Sequence, residues 1–306
     1  MSGLLYTGSG PYCYSSSLAM MLGEGAPSPG VVEVLTGAPF GMALVAGKLP
    51  FFDPYGWDPE LGLDTAISLL GWRCRFDSGG DEAGALRRLR GAVDKGPVLV
   101  GPVEMGMFRH QPGMDGPIGA DHYVVVLEVG DDQVLMHDPQ GYPFATLPLP
   151  LFLSAWRAES IPFGAPYSMR CEFVRDRDVA VDEALRRAIP NAVAFLSNRD
   201  DLPVPAGTVG AGAAALALAD LLIEDPDPEL RAHLVHFAIR VGARRLSDAA
   251  AALRHLDLGA AADVAAAQAR LVGALQYDVV TGDNASAAAT LRRLAPTYET
   301  LAATLS

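Results

Sequence analysis

The stretch Ala120-Asp121-His122-Tyr123-Val124-Val125-Val126-Leu127-Glu128-Val129-Gly130-Asp131-Asp132-Gln133-Val134-Leu135-Met136-His137-Asp138-Pro139 decides how this chain is read. Two apolar runs, Tyr123–Val129 and Gln133–His137, flank Gly130-Asp131-Asp132, the pattern of two antiparallel strands joined by a tight turn. A hairpin sets its open ends side by side. His122 stands at the mouth of the first strand and Asp138 ends the second, so an imidazole and a carboxylate become neighbours. The carboxylate is expected to accept the ring Nδ1–H, fix the tautomer and stabilise imidazolium. Taken singly, His122 reads as a capping or core residue and Asp138-Pro139 as a turn; their pairing across one hairpin points to chemistry. His137 faces the opposite side from Asp138 by strand alternation and is not expected to be the base.

A thiol lies upstream. In Gly8-Ser9-Gly10-Pro11-Tyr12-Cys13-Tyr14-Ser15-Ser16-Ser17-Leu18-Ala19-Met20-Met21-Leu22 a Gly/Pro loop delivers Cys13 to the start of an apolar helix. Exposed amides and the helix dipole at such a start favour thiolate, and an imidazole completes a nucleophile–base pair. Cys13 is therefore the expected nucleophile, His122 its base and Asp138 the residue that orients the base. A thiol activated in this way is expected to react well below the pH at which a free thiol does. Cys74 and Cys171 lie in apolar strand-like runs and read as core.

Two textures divide the chain. Up to about residue 177 it is mixed: helices over Leu18–Gly23, Leu61–Leu70 and Glu82–Val93, and strands over Trp72–Phe76, Pro97–Val103, Tyr142–Leu147 and Tyr167–Phe173. Glu104–Ala120, rich in Gly, Met and Pro, reads as a loop. It carries His110, a pocket candidate whose plainer reading is a solvated loop residue. Asp53, within Phe51-Phe52-Asp53-Pro54-Tyr55-Gly56-Trp57, is a second pocket candidate, in an aromatic loop fit to wall a cleft. Beyond a linker near Arg175–Val181, strand signals vanish. Ala- and Leu-rich helical patterns occupy Asp182–Leu196, Val209–Glu224, Pro228–Leu256, Ala260–Val280 and Ala285–Leu305. The expected architecture is an α+β domain over residues 1–177 followed by an all-α bundle over residues 178–306.

Composition narrows the function. The chain has 306 residues, half of them hydrophobic and 19% charged, which suits a packed globular protein. Its net charge of −13 argues against nucleic-acid binding and offers no attraction to anionic lipid. No secretory signal pattern opens the sequence, and the longest apolar stretch, Ala211–Ile223, is too short to span a bilayer. Three cysteines without a CxxC pair suggest neither a disulfide framework nor zinc, so the cytoplasm is the expected compartment. His233, His236 and His255 lack ligand-spaced partners, and no Gly-rich phosphate loop occurs; neither a metal nor an ATP-type cofactor is expected.

The order of a helix-start Cys, then His-Tyr-Val-Val-Val, then a hairpin to Asp-Pro resembles the papain-like fold of double-glycine leader peptidases. It resembles more closely the butirosin biosynthesis protein H family, in which a similar domain precedes a smaller helical one. That resemblance covers the chain in the observed order. It implies a papain-like cysteine-protease fold and acyl transfer, in natural-product (antibiotic) assembly, from an acyl-carrier-protein thioester to a small-molecule amine. The route would be an acyl-Cys13 intermediate, with no cofactor. Peptidase, thioesterase or cyclase chemistry on the same residues are alternatives, as is a non-catalytic papain-like binding module, and homo-oligomerisation is left open. Two departures bear on the oxyanion hole. Leader peptidases carry a Gln several residues before the nucleophile, where this chain has Tyr6-Thr7-Gly8-Ser9, and Tyr12 stands where the butirosin-type family often has His. The Cys13 amide is one expected donor, with Ser9, Thr7 or Tyr6 as candidates for the second.

Overall fold

The computed structural model describes residues 7, 8, 10–199, 201–224 and 227–306. In chain order, α1 (Cys13–Leu22) and α2 (Pro29–Leu35) precede β1 (Ala43–Val45), β2 (Leu49–Phe51) and α3 (Pro59–Leu69). Then come β3 (Trp72–Asp77), α4 (Glu82–Val93), β4 (Val98–Glu104), β5 (Asp121–Val129), β6 (Gln133–Asp138) and β7 (Tyr142–Pro148). After α5 (Leu149–Trp156) and β8 (Met169–Arg175) the chain turns helical. It forms α6 (Val181–Leu196), a short β9 (Val209–Gly210), α7 (Ala211–Glu224), α8 (Pro228–His233), α9 (Ile239–His255), α10 (Gly259–Thr281) and α11 (Asn284–Leu305). A π-helical turn, Leu234–Ala238, joins α8 to α9.

These elements make two compact units, neither of which is a continuous stretch: Met1–Val32 with Leu70–Asp178, and Glu33–Leu69 with Val179–Ser306. Residues 33–69, expected in the first domain, thus belong to the second unit. The reason is local pairing, since β1 lies between β2 and β9, with Ala43 opposite Gly210 and Leu44 opposite Val209. The second unit is therefore not all-α. Alongside its helices it holds this three-stranded antiparallel sheet. Polar groups tie the two segments together. The buried Arg245 donates from Nε to Glu33 at 2.7 Å and from Nη1 to Asp53 at 3.0 Å, and its guanidinium lies 5.4 Å from the Trp57 ring centroid.

The first unit is built on a six-stranded antiparallel sheet in the order β3-β8-β4-β5-β6-β7. The valine run of β5 makes it a central strand, hydrogen-bonded to β4 on one side and β6 on the other. Val98 and Val100 of β4, Val124 and Val126 of β5, and Val134 and Met136 of β6 share one core. Leu89 of α4 and Phe152 and Trp156 of α5 close that core. By alternation Tyr123 and Val125 line the opposite face, where Tyr14 of α1 meets Tyr123 edge-on at 6.0 Å between ring centroids. Ser17 of α1 donates to the Tyr123 carbonyl at 3.2 Å. One sheet strand is thereby tied to the helix that begins with Cys13, and the whole is mixed α+β with a helix-rich C-terminal region.

Candidate active site

Cys13 is the first residue of α1. The turn that delivers it is unusual, because Tyr12 adopts φ 96° and ψ 39°, left-handed backbone that a bulky side chain rarely tolerates. Its carbonyl still accepts the first helical bond, from the Ser16 amide at 2.8 Å, and its ring is buried. Further upstream, a β-carbon on Gly8 would stand 2.6 Å from the backbone of Pro139. Only glycine lets the loop before the thiol pass this close to the turn after Asp138. Sequence neighbours of Cys13 and Asp138, more than a hundred residues apart, thus touch.

His122 and Asp138 are both fully buried. The last residue pair of the hairpin ladder is Val125 opposite His137. Asp138 follows that pair and lies opposite Tyr142 of β7. There Nε2 of the His122 ring, not the expected Nδ1, donates to Asp138 Oδ1 at 2.7 Å. Asp138 also takes the Gln140 amide on Oδ1 at 2.9 Å, and His110 Nε2 and Gln111 Nε2 on Oδ2 at 2.6 and 2.7 Å. His137 points away, as alternation requires, and its Nδ1 accepts the Phe144 amide at 3.1 Å.

With Nε2 committed to Asp138, Nδ1 is the ring nitrogen left for the thiol. Cys13 and His122 are near enough for each to perturb the other's ionisation. Among the described residues, buried Nδ1 has no hydrogen-bond partner of standard geometry. Charge is distributed along the row. Burial alone would push the His122 imidazole down, but the Asp138 charge and hydrogen bond, helped by Cys13, raise it to about 10. Burial likewise opposes the Asp138 carboxylate, yet the His122 charge and the bonds from His110, His122 and the Gln140 amide hold it well below the usual carboxylate range.

Cys13 departs from the expected low-pH thiolate. It keeps partial exposure, but the protein around it strips hydration and pushes the thiol up. Asp121 adds to that, while His122 and the Tyr123 amide act the other way. The imidazole is thus held toward its charged form beside a charged carboxylate, while the neighbouring thiol is held toward its neutral form.

Of the other candidates, His110 joins the cluster through Asp138. Gln111, which carried no signal in the sequence, joins beside it. Tyr12 shapes the turn, and Thr7 lies partly exposed in the segment leading to Cys13; Tyr6 and Ser9 lie outside the described residues. Asp53 sits in the second unit, its carboxylate engaged by Arg245. Cys171 is core and Cys74 half-buried, and neither is in a disulfide. Among the described residues no His/Cys/Asp/Glu group could hold a metal ion, and no helix is long and apolar enough to cross a membrane.

Residues 205–306, from just before β9 to the C-terminus, match a family model described as the YobF C-terminal domain. The chain is also similar to the uncharacterized protein YobF of Bacillus subtilis (strain 168), 35% identical over 164 residues. That match covers 52% of this chain and 52% of the relative, so the chain spans about half the length of the curated relative it matches.

Proposed function

We propose that the first unit is a papain-like thiol enzyme in which Cys13 is the nucleophile, His122 the acid–base and Asp138 the residue that orients and charges the base. The observation that carries this reading is the buried row of a helix-start thiol, an imidazole and a carboxylate, with the imidazole raised to about 10 by its carboxylate. A buried imidazolium–carboxylate pair beside a half-exposed sulfur is costly to assemble, which supports a chemical role for it. In turnover Cys13 loses its proton to solvent, the thiolate attacks an acyl carbon, and the leaving group departs with the proton given by His122 Nδ1. The now neutral imidazole takes a proton from the second nucleophile as that nucleophile attacks the acyl-enzyme, and the C–S bond breaks to release Cys13 as thiolate, which regains a proton from solvent. The Cys13 amide, at the first turn of α1, is suited to meet the developing oxyanion.

The donor class comes from the sequence resemblance to butirosin biosynthesis protein H: an acyl group on a carrier-protein thioester, passed to a small-molecule amine. Exchange between thioesters is nearly isoenergetic and needs no cofactor, only a nucleophile, a base and a pocket. The test is direct. The chain incubated with an acyl pantetheine thioester and digested should carry the acyl mass on the Cys13 peptide, and Cys13→Ala should carry none. Acylation of Cys74 or Cys171 instead, or full turnover by Cys13→Ala, would refute the assignment.

A further inference from the structure

The Asp138 carboxylate is held on both sides. Oδ1 serves His122 and the Gln140 amide, and Oδ2 is occupied by His110 and Gln111, both from the loop between β4 and β5. A carboxylate with one oxygen unbound can rotate and offer either oxygen at either distance. Two donors on Oδ2 remove that freedom, and they satisfy lone pairs that a fully buried carboxylate could not leave bare without loss.

The loop that supplies them is itself fixed. Buried Glu104 ends β4, and its carboxylate accepts the amides of Gly106, Ile118 and Gly119 at 3.0–3.1 Å together with the Ser160 hydroxyl. This closes the loop at its base. Further along, the Gln111 amide bonds the Phe108 carbonyl at 2.8 Å. The His110 ring is flanked by Phe108 and Tyr142, with centroids at 5.5 and 5.4 Å. The loop thus presents two adjacent side chains to one oxygen atom, an arrangement that Gly- and Met-rich loop sequence would not produce unaided.

Resting on the thiol-enzyme reading above, we propose that His110 and Gln111 are positioning residues: by fixing Asp138 Oδ2 they keep Oδ1 on His122 Nε2 and so hold the ring toward Cys13. No bond to substrate forms at either residue. The titratable groups facing this cluster are Asp138 of β6, His122 and Asp121 of β5, Tyr142 of β7 and Cys13 of α1, while neighbouring Arg109 is paired with Asp115 at 3.0 Å. Without its two donors, a buried Asp138 bears its charge less readily and supports imidazolium less well. Thiolate at Cys13 then forms at higher pH.

The test reads Cys13 alkylation of the full chain by iodoacetamide against pH, by mass spectrometry. The native chain is compared with His110→Phe, His110→Gln and Gln111→Leu, with Asp138→Asn and His122→Ala as references. His110→Phe keeps a ring between Phe108 and Tyr142 but donates nothing. It should slow neutral-pH alkylation on the order of tenfold and move the profile to higher pH, as Asp138→Asn does. His110→Gln, which restores a donor, should recover most of the loss. If His110→Phe does not fold, Gln111→Leu carries the same expectation, since it deletes the second donor to the same oxygen. A shift that His110→Gln fails to reverse marks a packing role and overturns the proposal. Unmoved profiles in His110→Phe and Gln111→Leu, with a moved profile in Asp138→Asn, overturn it while the thiol-enzyme reading stands. Unmoved profiles in both His122→Ala and Asp138→Asn remove that reading and the positioning role together.

Discussion

His122 and Asp138 are perturbed in opposite senses, and the two shifts leave a signature in stability as well as in rate. Asp138 is depressed below its ordinary value of 3.8, so its contribution is complete above that value and fades as pH falls through the folded one. His122 is raised from 6.5 to about 10, so its contribution is complete below 6.5 and is lost as pH rises through 10. Urea midpoints of the native chain should therefore decline between pH 7 and 10 more steeply than those of Asp138→Asn, in which the imidazole has lost the charge that raised it. Parallel declines would show that the pair is not coupled. In turnover the two residues should differ in size. Loss of acid–base catalysis in His122→Ala is worth about 100- to 10,000-fold. Asp138→Asn keeps shape and one hydrogen bond and should cost less. The double variant should fall little below His122→Ala alone, because both changes disable one unit; strict additivity in measured kcat would count against a shared role.

At the scale of elements, the entry to α1 concentrates the geometry. Gly8→Ala forces a β-carbon into the Pro139 backbone, an atom that cannot step aside as a flexible side chain would. The variant should lower the melting temperature and slow Cys13 alkylation together, by separating the loop before the thiol from the turn after Asp138. A melting change with unaltered alkylation would show that the close approach serves stability alone. The parts of this region with strong periodicity were legible in the sequence: the loop–Cys–helix step, and the β5–β6 hairpin with His122 and Asp138 at its open end. Elements of three residues or fewer were not, because β1, β2 and β9 are too short to show a period, and β1 finds β9 only across more than 160 residues of chain. Helix α5 was hidden by Leu147-Pro148-Leu149-Pro150, which reads as a breaker; in the fold Pro150 sits in the first turn, where no amide is needed. In the site, alternation placed His137 correctly, yet nothing in Arg109-His110-Gln111 marks two residues aimed at one oxygen. A loop's side-chain directions depend on contacts such as those of Glu104, which only the folded chain reveals.

The molecule as a whole is divided by topology more than by composition. The change of texture near residue 178 is real, but the segment from Glu33 to Leu69 is owned by residues that follow it by more than a hundred positions. Phe52 packs against Gly242 so closely that a β-carbon there would lie 2.5 Å from its side chain, and a β-carbon on Gly37 would meet the Phe195 ring at 2.7 Å. Glu33 is fully buried against Arg245. Arg245→Met should therefore destabilise the second unit by about 3–5 kcal/mol, the usual result of stranding one buried partner; a loss under about 1 kcal/mol in urea unfolding would contradict this. The sharper prediction concerns a fragment of residues 1–178, the division that composition alone invites. It retains Val34, Leu35, Phe40, Met42, Leu44, Phe52, Leu63 and Ile67, all buried in the full chain, and deletes β9, Phe195, Gly242 and Arg245. Each large apolar side chain left in water forfeits roughly 1.5–3 kcal/mol, and Glu33 and Asp53 lose their guanidinium. Limited proteolysis should accordingly cut this fragment first within residues 33–69, a segment that should resist cleavage in the full chain. The first-unit core of Val100, Val124, Met136 and Trp156 keeps all its own strands and should be cut later. A fragment that unfolds cooperatively and resists cleavage across residues 33–69 would show instead that this segment folds without the elements beyond residue 178.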